Sequence, residues 1–144
     1  MKSDIKTFEE LECYNESRKL RQMVSSFASA LPVEERYLLR SQILDSSRSI
    51  TANIAEGYGR HHHQENLQFC RQARGSLTET LDHLNCGLDD GYLPAASYQQ
   101  IRSQLETAWQ ILNGYIRYLD HAAKAQRVGK VGNQSRVDKT VMPQ

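Results

Sequence analysis

Apolar residues recur along this chain in four blocks, each stepping alternately by about three and four positions. Such a rhythm places one face of a helix against a core. The first stripe is Cys13, Ser17, Leu20, Val24, Phe27 and Leu31. Thr7-Phe8-Glu9-Glu10 precedes it with the spacing of a capping box, Thr7 at the N-cap and Glu10 three residues on. Pro32 ends the run. The second stripe is Leu39, Ile43, Ser46/Ser47, Ile50 and Ile54. Glu34 and Glu35 predict its start, because carboxylates are stabilised at a helix N-terminus. Gly57 and Gly59 predict its C-cap and the turn after it. The third stripe is Leu67, Cys70, Arg74, Leu77, Leu81, Leu84 and Leu88, broken by Asp89-Asp90-Gly91. Pro94 opens the fourth: Tyr98, Ile101, Leu105, Ala108, Leu112, Tyr115 and Leu119.

Four amphipathic helices joined by short connections bury their stripes only against one another, and short loops make neighbours antiparallel. The expected fold is an all-α, antiparallel up-down-up-down four-helix bundle over residues 1–123. The apolar period fades after Ala123, so residues 124–144 are expected to form a flexible basic tail. Only 8 Gly and 3 Pro fit long helices better than a sheet with many turns.

Charge divides the chain the same way. The tail carries Lys124, Arg127, Lys130, Arg136 and Lys139 against Asp138, a net of +4, and leaves residues 1–123 at −3. A weakly acidic body is not the profile of a dedicated nucleic-acid-binding domain. The tail reads either as a solvated end or as an electrostatic tether for a polyanion. No run of about 18 apolar residues is present, and the N-terminus lacks the apolar stretch of a secretory signal. Cys13, Cys70 and Cys86 form no CxxC pair and are expected to be reduced, small hydrophobes in a cytoplasmic protein.

Arg74 shares a register with six apolar positions, where a guanidinium needs a partner. Glu56 and Asn53 on the second helix, or Glu79 on its own, are the candidates. A pair with Glu56 is favoured as a structural polar core, with outward snorkelling as the alternative. Gly75 and Gly114 sit inside helical patterns and suggest close backbone approach, within the bundle or between subunits. Gly57 is already explained as a cap. His61, His62 and His63 are consecutive, so their side chains splay apart and no metal is expected there. No Glu-x-x-His repeat, nucleophile–base pair or phosphate loop is present, so no cofactor or catalytic residue is assigned and the chain is not expected to be an enzyme. Tyr14, Tyr37, Tyr58, Trp109 and Tyr118 fall outside the stripes and read as subunit contacts or bundle edges.

Several strings together resemble one family. Phe8-Glu9-Glu10-Leu11, Glu35-Arg36-Tyr37, Ser41-Gln42-Ile43, Ser49-Ile50 and Asn53-Ile54-Ala55-Glu56-Gly57-Tyr58-Gly59-Arg60 are followed by Ala73-Arg74-Gly75-Ser76-Leu77 with Glu79, Gly91-Tyr92-Leu93 and Leu112-Asn113-Gly114. This pattern is similar to the four-helix bundle proteins encoded in 23S ribosomal RNA intervening sequences, across about residues 7–121. The resemblance implies an up-down-up-down bundle and, as in related members, a ring-shaped homopentamer. It extends to accessory proteins of diversity-generating retroelements, which assist a reverse transcriptase and bind nucleic acid. This chain departs from the pattern with Leu44 and Asp45 where many members have two basic residues, Ser46-Ser47 for Ala-Ala, and Thr51 for Pro. Losing the basic pair weakens an RNA-binding reading of the second helix.

The functional expectation is a non-enzymatic oligomeric binding or scaffold protein whose partners are RNA, DNA or a nucleic-acid enzyme. Arg40, Arg48, Arg60 and Arg71, with Lys124, Arg127 and Lys130 of the tail, are the candidate phosphate contacts. The alternative is a purely structural protein–protein interaction module without nucleic acid, which the acidic body favours.

Overall fold

A computed structural model describes residues 6–140, with side chains through Gly132. Among them are four α-helices and no strand: α1 Glu12–Ser29, α2 Leu39–Gly59, α3 His63–Asp89 and α4 Ala95–Thr140. Two 3-10 turns, Phe8–Glu10 and Val33–Glu35, precede α1 and α2. No helix among these residues is long and apolar enough to cross a membrane.

Each helix packs on its two neighbours in the cyclic order α1, α2, α3, α4. Hydrogen bonds fix the directions. Ser46 meets Thr80 and Ser49 meets Ser76, so α2 and α3 run opposite ways. Asn66 reaches Tyr115, Arg74 reaches Asn113 and Tyr98 reaches Asn85, so α3 and α4 do as well. The molecule is thus the antiparallel four-helix bundle expected from the stripes.

The stripes of α1, α2 and α4 enter the core nearly as read. Leu20, Val24, Ile43, Ile50, Ile54, Ala108 and Leu112 are each 0% exposed, and sealing a Leu or Ile side chain from water contributes about 1.5–3 kcal/mol. α3 keeps the expected stripe at Leu67, Cys70, Leu77 and Leu84 and departs from it between them. Its buried seam is Asn66, Leu67, Cys70, Ala73, Leu77, Thr80, Leu84 and Gly87, while Leu81 and Leu88 flank it half-buried. The seam takes small residues where α2 and Phe27 of α1 come close. A Cβ on Gly57 would stand 2.6 Å from Asn66 Oδ1, and one on Gly87 would stand 2.7 Å from the Phe27 ring.

The expected polar core differs as well. Arg74 sits beside the seam on the α4 side, and its Nη1 donates to Asn113 Oδ1 at 3.0 Å. It does not pair with Glu56, which lies on the outer face of α2 and binds Arg60 one turn on at 2.8 Å. Asn53 Nδ2 donates back to the Ser49 carbonyl within α2.

The helix ends also differ from expectation. Thr7 caps only the first 3-10 turn, accepting from Glu9 N–H at 3.2 Å, and α1 starts five residues later without a side-chain cap. Glu35 sits in the turn before α2 and caps it from there, accepting from Leu39 N–H at 3.1 Å. Gly57 is inside α2, and the left-handed residue after it is His61, at φ 53°. Gly91, at φ 79°, terminates α3; Tyr92 N–H returns to the Gly87 carbonyl and Gly91 N–H to Leu88. Gly75 has no atom near its missing Cβ and Gly114 only the tip of Arg117 at 3.8 Å, so neither marks close approach within the bundle. Cys86 is exposed rather than part of the core.

Among the described side chains Ala123 is the last buried one, where the apolar period fades in the sequence. The backbone beyond it is helical rather than irregular, since α4 continues to Thr140 with residues 124–132 exposed. Residues 141–144 of the expected tail lie outside the described residues, as do the side chains of Arg136 and Lys139.

Candidate nucleic-acid interface

The seven basic residues singled out in the sequence fall into two groups. Arg40 and Arg48 belong to the α1–α2 end. The turn before α2 and the first turns of that helix form a groove of about 510 Å³, lined by Val33, Arg36, Tyr37, Arg40, Ser41, Leu44, Asp45 and Arg48. Among the described residues none of its three arginines has an ion pair, while Arg36 stacks 5.4 Å from the centre of the Tyr37 ring. Val33 is 75% exposed and Tyr37 81%, so this end shows apolar surface beside three arginines and one acid, Asp45. Arg36 was not singled out from sequence; its signal was the adjacency Arg36-Tyr37, which puts a guanidinium over a ring.

The other five lie at the opposite end, around the three-residue turn between α2 and α3. Arg60, the C-cap of α2, pairs with Glu56 and stands 5.2 Å over Phe69. Asp120 on α4 binds Lys124 at 3.0 Å and approaches Arg71 at 4.0 Å. The hydrogen bond from Lys124 holds the Asp120 carboxyl below its usual range, against partial desolvation. Arg127 Nη2 donates to Gln64 Oε1 at 2.8 Å, tying the exposed part of α4 to the start of α3. Arg127 and Lys130 then line a second groove, of about 250 Å³, with His62, Gln64, Ala123 and Gln126.

His62 also borders a cleft of about 290 Å³ whose other walls are Tyr58, His61, His63, Asn66, Tyr115, Tyr118 and Leu119. The left-handed turn at His61 separates the three imidazoles. His61 lies against Tyr58 and His63 stands perpendicular to Tyr118, with ring centres 6.1 and 6.4 Å apart. Tyr115 and Tyr118 lie nearly parallel, 17° between planes. Tyr115 receives a hydrogen bond from Asn66 at 3.0 Å, and burial pushes its phenol up to about 12. His63 Nδ1 is buried without a hydrogen-bond partner among the described residues. No group of three His, Cys, Asp or Glu side chains among them is placed to hold a metal ion.

This cleft was not read from the sequence. Tyr58 and Tyr118 stood out as aromatics beyond the stripes, but Tyr115 counted as core. Only the turn brings the three tyrosines to one histidine cluster.

The chemistry available is therefore cationic and aromatic. Guanidinium and ammonium groups at both ends suit phosphate, and the tyrosine and imidazole faces suit flat rings.

Comparison with known proteins bears on the bundle. The sequence profile of the family described as 23S rRNA-intervening sequence protein matches residues 9–114 and stops short of Tyr115, Tyr118, Lys124, Arg127 and Lys130. The bundle is similar to the 1.70 Å crystal structure of a protein of unknown function from the S23 ribosomal protein family of Bacteroides thetaiotaomicron. That structure is 22% identical with a TM-score of 0.66, covering 72% of this chain and 97% of that one. The likeness shows a shared fold. No curated protein matches the chain.

Proposed function

From the premise that the chain belongs to the 23S rRNA-intervening sequence protein family, we propose that it is a binding and scaffold protein that docks the phosphate backbone of RNA or DNA, and not an enzyme. The observation that carries this reading is the basic edge at the α2–α3 turn. There Arg127 and Lys130 line one groove and Lys124 stands a turn away, on a stretch of α4 exposed past the last core residue. Arg60 and Arg71 extend the edge along the bundle. Each is half-occupied by a surface carboxylate, a pairing that contributes little in water and yields to a phosphate. Arg40 and Arg48 supply a second contact at the far end, suited to a long polyanion or to a second protomer.

The test is a salt titration with a labelled single-stranded RNA and a labelled DNA duplex. The logarithm of the association constant should fall linearly with the logarithm of salt between about 50 and about 200 mM. Arg127→Gln and Lys130→Gln should each reduce that slope by about 0.7–0.9. Affinity that does not weaken as salt rises would contradict phosphate docking.

A second reading, a protein–protein module without nucleic acid, draws on the exposed Val33, Tyr37 and Leu38 beside the α1–α2 groove. Assembly into a homopentamer belongs to the proposal, with this face as its contact. Native mass spectrometry of nuclease-treated protein separates the readings. A ring that survives with its partners supports the module, and loss of partners with the nuclease supports docking on nucleic acid.

A further inference from the structure

We propose that the cleft at the α2–α3 turn seats one unpaired nucleobase of a single-stranded nucleic acid, stacked on Tyr118, with the adjoining phosphates on Arg127 and Lys130. This rests on the backbone-docking reading above and adds to it a pocket for the base itself.

Three observations lead there. The first is the wall chemistry. Tyr118 is 59% exposed, and its nearly parallel neighbour Tyr115 and the perpendicular ring of His63 hold it in place. An exposed but oriented ring is what base stacking requires, and stacking tolerates any base because every base has a π-face. The second is an orphaned polar atom. His63 lines the cleft, and its Nδ1 is buried without a partner among the described residues. Leaving such an atom unsatisfied is costly, and because it is closed to water as the ring stands, the edge of a bound base relieves the cost once the imidazole turns toward the cleft. The third is continuity. His62 borders both the cleft and the basic groove of Arg127 and Lys130, so a ring in one sits beside cations in the other. A nucleotide likewise carries its flat ring and its charge on adjoining parts.

The size limits the occupant. At about 290 Å³ the cleft is at the lower end of small-ligand pockets and suits one ring system. A base inside a duplex is stacked on both faces and must leave the helix to enter, so unpaired strands are favoured. Glu65, in the first turn of α3, is the exposed acid closest in sequence to the site, and Asp120 is already engaged by Lys124 and Arg71.

Fluorescence anisotropy tests this with four labelled probes: an oligouridine decamer, an oligothymidine decamer, a decamer of abasic deoxyribose phosphates, and a DNA duplex. The wild-type chain should bind both base-bearing single strands more tightly than the abasic strand. Tyr118→Ala should weaken both about 5- to 100-fold, leave the abasic strand unchanged and leave the salt slope unchanged. Tyr118→Trp should retain binding, which separates lost stacking from a general disturbance, and thermal melting checks that each variant folds. Equal binding of decamers by Tyr118→Ala and wild type, or equal binding of abasic and base-bearing strands by wild type, overturns the pocket while leaving phosphate docking intact. A wild-type chain that binds no probe at any salt overturns both.

Discussion

A glycine inside a helix costs about 1 kcal/mol relative to alanine, and the glycines of this bundle meet that cost for different reasons. Gly57 is needed for space, because its Cβ would meet Asn66 Oδ1 at 2.6 Å, Phe69 Cβ at 2.9 Å and the Asn66 carbonyl at 3.1 Å, and backbone cannot swing aside. Gly75 has open space at the same position. Gly57→Ala should therefore destabilise the fold by about 1–3 kcal/mol as overpacking. Gly75→Ala should stabilise it by about 0.5–1 kcal/mol through helix propensity alone. Urea unfolding midpoints read both, and a destabilised Gly75→Ala would mean that another surface covers this face. Sequence could not sort these glycines, because the atom each would strike belongs to a distant part of the chain or to nothing. Cysteines divide in the same way. Burial pushes the Cys13 and Cys70 thiols up to about 12, whereas Cys86 lies exposed, raised by partial desolvation and the acids around it. A thiol reagent at neutral pH should modify Cys86 alone in the native protein and all three after unfolding, since thiolate and access are both required. Rapid native labelling of Cys70 would contradict its burial.

Among the elements, α1, α2 and α4 were legible because their large apolar residues are also their buried ones. α3 was legible only in part, because Leu67, Leu77 and Leu84 are buried as read, whereas Leu81 and Leu88 only flank a seam that Asn66, Ala73, Thr80 and Gly87 complete. Hydropathy favours the biggest side chain, but the α2–α3 contact is set by size complementarity. Ser46, Ser49 and Gly57 on one helix meet Thr80, Ser76 and Asn66 on the other. The close approach makes a polar ladder. Thr80 Oγ1 is 2.9 Å from Ser46 Oγ and 2.8 Å from the Ser76 carbonyl, while Ser76 Oγ is 2.9 Å from Ser49 Oγ. A net intramolecular hydrogen bond contributes about 1 kcal/mol, and a buried partner left behind costs at least as much. Thr80→Val should thus destabilise by about 1–2 kcal/mol. The double variant Ser46→Ala, Thr80→Val should cost less than the two singles added, with a coupling of about 0.5–1 kcal/mol. Strict additivity would mean that the hydroxyls do not bond across the helix pair.

At the scale of the whole molecule the candidate site was half legible. Basic residues at both ends could be named from sequence, but the grooves and the aromatic cleft exist only once α2, α3 and α4 converge. That same convergence sets how stability depends on pH. Glu16 lies below its usual range through hydrogen bonds from Gln104 on α4 and from Lys19, and Asp120 through Lys124. A depressed carboxyl binds fewer protons folded than unfolded, so its contribution is present above about pH 4–5 and is lost as pH falls through the folded value. At the other extreme Cys13, Cys70 and Tyr115 stay protonated in the fold to about 12. Unfolding frees them to ionise from about 8.5 for the thiols and about 10 for the phenol. The unfolded state then holds fewer protons, and stability declines as pH rises through that window. The expected profile is a plateau near neutrality with two shoulders of separate origin. Glu16→Gln should shrink the acid shoulder, with Asp120 still contributing, and leave the alkaline one, while Cys70→Ala should make the alkaline slope shallower, with Cys13 and Tyr115 still contributing, and leave the acid one. Urea unfolding at a series of pH values measures both. An alkaline slope identical in Cys70→Ala and wild type would place that thiol in water, and with it would go the closed interior on which the bundle depends.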